Sequence, residues 1–137
     1  MSPDDIVAAA RECVGTPFRH QGRVLGLALD CAGVVVHAMR SCGIAVTDVQ
    51  GYGPTPNRGL LEQALNQHQS LFAVAATERR AGDILLMRFI GDPQHLAVAT
   101  DSGMIHAYEA ARKCCEHDID SLWESRIVRA YRVREQA

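Results

Sequence analysis

The stretch Asp30-Cys31-Ala32-Gly33-Val34-Val35-Val36-His37-Ala38-Met39 places a thiol on the first turn of an apolar helical run. The first backbone N–H groups of a helix have no intrahelical partner and carry the positive end of its dipole, so a thiolate there is stabilised. This helix stops at Gly43, a natural residue just past a helix end. Upstream, Ser2-Pro3-Asp4-Asp5 is a helix start, with Ser2 as cap, Pro3 at the first position and acids in the first turn. Ile6, Ala9, Ala10 and Cys13 then form an apolar stripe that ends at Gly15-Thr16-Pro17, and a loop containing Arg19-His20-Gln21-Gly22-Arg23 runs on to Leu29. A Gly/Pro turn cluster, Gly51-Tyr52-Gly53-Pro54-Thr55-Pro56-Asn57, precedes a short amphipathic helix carrying Leu60, Leu61, Ala64 and Leu65.

From Leu71 the period changes. Residues 71–76, 83–89, 96–100, 104–108 and 126–133 are short apolar or alternating runs separated by Gly, Asp, Pro and Ser, the pattern of an antiparallel sheet. Helices first and strands after predict an α+β fold, with N-terminal helices packed on a five- to six-stranded antiparallel sheet. The 137 residues, 47% hydrophobic, suit a single domain spanning 1–137. A net charge of −2 and scattered arginines exclude an electrostatic footprint for nucleic acid or an anionic membrane. The acidic start lacks the basic region of a signal peptide, and no apolar run reaches the roughly 18 residues that span a bilayer. A chain made in the cytoplasm and not exported by its own leader is expected. Five cysteines, an odd number without paired spacing, point to free thiols in a reducing compartment.

The segment from His95 to His106 reads as a hairpin turning at Asp101-Ser102 or Ser102-Gly103. With the loop at Asp101-Ser102, Thr100 opposes Gly103 and His95 opposes Tyr108, so His106 is a diagonal neighbour of His95; either loop leaves both histidines on one face. Cys31, His95 and His106 then supply a nucleophile, a base and a group to orient the base. A Cys–His ion pair of this kind lowers a thiol pKa from about 8.5 into the range of roughly 3.5 to 7.5. The backbone N–H of Cys31 is a candidate donor to a tetrahedral oxyanion.

Gly15-Thr16-Pro17-Phe18 with Gly22, Asp30-Cys31-Ala32-Gly33, Ala81-Gly82-Asp83-Ile84-Leu85, His95 and Ile105-His106-Ala107 together resemble the NlpC family of bacterial cell-wall cysteine peptidases, and more narrowly its phage-tail branch. The resemblance covers about residues 6–133. It implies a minimal papain-like fold, with Cys31 as nucleophile, His95 as base and His106 as third polar residue. It further implies hydrolysis of peptidoglycan stem peptides next to D-amino acids, typically between D-γ-glutamyl and diaminopimelate. The phage-tail branch adds tail proteins as partners and carriage on a tail to the cell wall. Two positions depart from the family pattern: Ala32 stands where Ser is usual, and Phe18 where a tyrosine hydroxyl is usual. Phe18 cannot donate a hydrogen bond, so His20 or Gln21 is expected to serve the oxyanion.

Arg19 and Arg23 are candidates for pairing with substrate carboxylates, and Tyr52 and Arg58, flanking the Gly/Pro turn, are candidate groove residues. Cys13 and Cys42 read as buried small hydrophobes, His37 as structural or exposed, and His68 as a surface-loop residue. Cys114-Cys115 with His117 does not match zinc-site spacing, and adjacent strand residues face opposite ways, so no metal or other cofactor is expected. Two other readings use the same residues: a phage-tail structural or assembly protein that keeps the fold without activity, and an amidase or acyltransferase acting through the same trio.

Overall fold

The computed structural model describes residues 2–46, 48 and 59–134. In chain order they form α1 (Pro3–Arg11), β1 (Arg23–Val24), β2 (Ala28–Leu29), α2 (Cys31–Ser41), α3 (Leu60–Gln67), β3 (Leu71–Val74) and β4 (Ile84–Met87). There follow β5 (His95–Ala99), β6 (Gly103–Tyr108), β7 (Lys113–Asp118), α4 (Ser121–Arg126) and β8 (Ile127–Val133). Strands β3 to β8 make one six-stranded sheet in the order β3-β8-β4-β5-β6-β7, antiparallel throughout, so the α+β architecture is as expected. Among the described residues no helix is long and apolar enough to cross a membrane.

The apolar runs are explained by burial on both faces of the sheet. Ile84, Leu86, Leu96, Val98, Ile105 and Ala107 pack with Ile6 and Ala10 of α1 and Val34, Val35 and Met39 of α2. Leu85, Met87, Ala97, Ala99, Met104 and Ala130 form a second cluster, against which Trp123 of α4 and Ile127 pack. A strand covered on both sides needs no polar alternation, which is why β4 reads as Ile-Leu-Leu-Met.

Three features differ from the sequence reading. The loop before α2 contains the β1–β2 hairpin, β7 is a full strand at the sheet edge, and α4 interrupts the approach to β8. Cys13 is buried as expected, whereas Cys42 is only half-buried because it lies just past the end of α2.

The start of α2 is tied down tightly. Asp30 caps it: Oδ1 accepts the Gly33 N–H at 2.8 Å and Arg23 Nη1 at 2.7 Å, while Oδ2 accepts the Gln21 N–H at 2.9 Å. Three donors, one of them charged, allow this carboxylate to be 98% buried. Gly33 lies directly beneath the preceding loop, and a Cβ there would meet the Gly22 carbonyl oxygen at 2.4 Å and Leu29 Cδ2 at 3.0 Å. Gly33→Ala is therefore expected to destabilise by about 2–3 kcal/mol and lower the thermal midpoint by roughly 10 °C, read by circular dichroism. An unchanged midpoint would show that the loop can yield without cost.

Candidate active site

The β5–β6 hairpin turns at Asp101-Ser102, with Thr100 N–H donating to the Gly103 carbonyl and Val98 opposite Ile105. That register puts both histidines on one face as expected, and His95 Nε2 lies 2.6 Å from His106 Nδ1. The network continues beyond this pair. His106 Nε2 lies 2.8 Å from Nε2 of His117 on β7, and His117 Nδ1 lies 2.8 Å from the Asp118 carbonyl oxygen.

The far end of the network fixes its polarity. A carbonyl only accepts, so His117 donates from Nδ1. With the three rings neutral, His117 Nε2 accepts from His106 Nε2–H, His106 Nδ1 accepts from His95 Nε2–H, and the remaining lone pair of His95 is on Nδ1. The rings stand among aromatics: His106 is stacked on Tyr108 at 5.2 Å between centroids, and Trp123 lies edge-on to it at 5.1 Å. Phe89 lies 5.0 Å from His95, and the Arg126 guanidinium covers Phe89 and Trp123. Burial, reinforced by the Arg126 charge, lowers the His95 pKa to about 3. Burial, with His95 and His117 as neighbours, lowers that of His106 to about 2.

Cys31 is the first residue of α2, as expected, and packs half-buried against the core. The backbone N–H groups of Leu96 and Ala32 act on its sulfur, so the thiol lies beside the peptide that joins His95 to Leu96. Leu96, Val98 and Ile105 face the helices, whereas Ala97, Ala99 and Met104 face α4. By strand alternation His95 and His106 belong to the α4 face, so thiol and imidazole approach the end of β5 from its two sides. No hydrogen bond joins Cys31 Sγ to His95 among the described residues. Contrary to the expected lowering, burial pushes the Cys31 thiol up to about 12, with the nearby Asp30 charge in the same direction. The two amides and Arg23 pull the other way without reversing it. The resting site thus holds a thiol and neutral imidazoles rather than an ion pair.

The expected substrate-binding residues divide. The Arg23 guanidinium bonds Asp30, the Gly22 carbonyl and, bidentately at 2.8 and 3.0 Å, Asp48, so its forked edge is engaged within the protein rather than turned to a substrate carboxylate. Arg19 is exposed, its backbone N–H bonded to the Leu29 carbonyl. His20 and Gln21 are exposed on the loop that Asp30 holds against α2, and Gln21 takes a left-handed φ of 61° to direct its N–H at that carboxylate. Phe18 is half-buried against the core. Tyr52 and Arg58 lie outside the described residues. Ala32 and Leu96, which follow Cys31 and His95, border an apolar cavity of about 550 Å³ with Val35, Met39, Leu61 and His68. His68 is therefore half-buried at the end of α3 rather than on a surface loop, while half-buried His37 bonds Glu12 at 2.9 Å, away from the site.

Sequence patterning does not single out His117 as part of the histidine network. The available signal was the alternation Cys115-x-His117 on a strand, which puts both residues on one face. Their Sγ and imidazole nitrogens, with those of His106, lie within 4.8 Å of one another.

Known proteins share this arrangement of elements. The NlpC/P60 family matches residues 15–132, and the chain belongs to that family. The NlpC/p60 domain of the peptidoglycan hydrolase SagA superposes with a TM-score of 0.68 at 20% identity, over 98% of this chain and 100% of that one. The peptidoglycan hydrolase RipB of Mycobacterium tuberculosis gives 0.70 at 16% identity, over 98% and 65%. An NlpC/P60 protein of Bacillus cereus gives 0.72 at 20% identity, over 95% of this chain but 39% of that one. The chain thus spans the whole of the first structure and a smaller part of the others. No curated protein sequence matches it.

Proposed function

We propose that this chain is a cysteine endopeptidase that hydrolyses peptidoglycan stem peptides at the D-γ-glutamyl-diaminopimelate bond, with Cys31 as nucleophile, His95 as base and His106 as the residue that orients the base. The observation that carries the reading is the His95–His106 hydrogen bond of 2.6 Å on the strand whose next amide acts on the Cys31 sulfur. Family membership supplies the substrate class.

In the resting state the proton stays on sulfur. Attack on the scissile carbonyl is coupled to transfer of that proton to His95 Nδ1, for which the ring closes on the thiol in the substrate complex. His95 then returns the proton to the leaving amine, and water activated by the same nitrogen resolves the thioacyl-enzyme. The Cys31 N–H, at the first position of α2 and outside the helical ladder, is aimed at the oxyanion, with His20 or Gln21 as the side-chain donor replacing the usual tyrosine.

His117 is a positioning residue in this scheme, because its acceptor nitrogen holds the His106 proton on Nε2. His117→Ala is expected to lower kcat about 10- to 100-fold with little change in KM. His117→Gln, whose side-chain oxygen can accept the same proton, is expected to recover most of the loss. Equal kcat values for all three proteins would remove His117 from the mechanism.

The deciding experiment incubates the protein with purified peptidoglycan and identifies new termini by mass spectrometry. Free diaminopimelate amines paired with D-glutamyl carboxylates are expected; intact stem peptides overturn the reading. The absent Sγ–His95 bond and the raised thiol favour, as a second reading, a structural protein that keeps the fold without activity and cleaves neither stem peptides nor simple amides. Cleavage confined to other amides would mark an amidase or acyltransferase.

A further inference from the structure

We propose that His106, Cys115 and His117 form a site for a thiophilic divalent cation of the zinc class, and that filling it switches off the base at His95. The second half rests on the peptidase reading; the site itself does not. His106 and Cys115 are direct cross-strand partners in the β6–β7 ladder, and His117, two residues on, shares their face. Their ligating atoms lie within 4.8 Å of one another, two imidazole nitrogens and one thiol. That donor set suits zinc, cobalt or copper rather than magnesium or calcium.

The outer shell of such a site is already in place. A metal-bound histidine normally engages its other ring nitrogen with a carbonyl, a carboxylate or water. His117 Nδ1 is 2.8 Å from the Asp118 carbonyl, and His106 Nδ1 is 2.6 Å from His95 Nε2. The two nitrogens that would face the ion, both Nε2, are 2.8 Å apart and share one proton. Tetrahedral zinc with bonds of about 2.0–2.1 Å holds its nitrogen ligands roughly 3.3 Å apart, so the ion needs the rings to part by about half an ångström. His117 and Cys115 are half-buried on β7, whose outer side bonds residues 15–18 through Arg112 and Cys114 but, among the described residues, makes no backbone hydrogen bond with another segment at Glu116 or His117, so the His117 end is the accessible one. Three protein ligands leave a fourth position for water.

The protons balance with a single loss. Cys115 releases its thiol proton to solvent as the S–metal bond forms, and His117 keeps its Nδ1 proton. His106 can bind the metal through Nε2 only by carrying its proton on Nδ1. That N–H then donates to His95 Nε2, so His95 carries its own proton on Nδ1. No imidazole gains or loses charge, yet the nitrogen that should accept the thiol proton has become a donor.

Cobalt(II) titrated into chelator-treated protein tests the site without reference to activity. In a Cys31→Ala background, which removes the nucleophilic thiol, a thiolate-to-cobalt charge-transfer absorption is expected to saturate at one equivalent. It should vanish on adding Cys115→Ser, and weaken at least tenfold in apparent affinity on adding His117→Asn, the variant to rely on if the serine protein does not fold. Absorption that needs Cys31, or that survives loss of Cys115, overturns the site, as does its complete absence. In the hydrolysis assay, zinc should inhibit the unmodified protein reversibly, and at least tenfold more should be needed with Cys115→Ser. Cobalt binding without any hydrolysis to inhibit overturns the peptidase reading and the switch but leaves the site standing; hydrolysis without binding overturns the site and the switch and leaves the peptidase reading standing.

Discussion

Cys31→Ala is expected to reduce stem-peptide hydrolysis by a factor on the order of 10⁶, to the level left by binding and the oxyanion donors alone. The residue is half-buried at the first position of α2, where alanine suits the helix, so the thermal midpoint should move by only a few degrees. His95→Ala should fall to a similar floor, because a nucleophile without its base and a base without its nucleophile fail at the same step. The double variant should be no slower than either single one. Groups that act as a unit are non-additive, whereas two independent contributions would multiply. Hydrolysis that persists in Cys31→Ala at more than a thousandth of the original rate would exclude the thioacyl mechanism, and a double variant much slower than both singles would exclude a shared step.

The pairing of His95 with His106 is readable in the sequence because it depends on local rules. Asp101-Ser102-Gly103 is turn chemistry between two strand-like runs, and once the turn is placed, strand periodicity alone brings His95 and His106 to one face. The Cys31 helix was legible for the same kind of reason: its apolar run and its terminating Gly43 are local. What escaped depends on partners distant in sequence. Lys-Cys-Cys-Glu-His-Asp carries little of the apolar signal of a strand because β7 is an edge strand, burying Cys114 inward while Glu116 pairs with Arg11 in α1. Its pairing with β6 makes His117 a neighbour of His106, and no window of residues 113–118 contains that information. Arg23 looked available for substrate because its engagement with Asp48 spans 25 positions. The expected lowering of the thiol pKa fails for a related reason: the helix start is visible locally, but the desolvation of the sulfur comes from the sheet packed beneath it.

Acid should unfold the metal-free protein well above the pH at which its carboxylates titrate. Buried His95 and His106 stay neutral in the folded state down to about pH 3 and 2, whereas in the unfolded chain they take up protons as the pH falls below about 6.5. The unfolded state therefore binds more protons across this window, and stability is full above pH 6.5 and is lost as the pH drops through it. At pH 5 each histidine costs about 2 kcal/mol relative to neutrality, about 4 kcal/mol together, a large share of the 5–15 kcal/mol typical of a domain. His68, whose pKa is also lowered by burial, acts in the same direction. The check is the urea midpoint at pH 7 and pH 5 for the metal-free protein and for His106→Phe, which keeps a ring among Tyr108 and Trp123 but cannot take up a proton. A clear drop in the first protein and about half that drop in the second are expected; equal midpoints at the two pH values would mean that the rings are hydrated enough to charge within the fold. In the proposed mechanism the same burial that costs stability in acid leaves a lone pair on His95 Nδ1 open to the thiol proton, and makes that nitrogen a weak base.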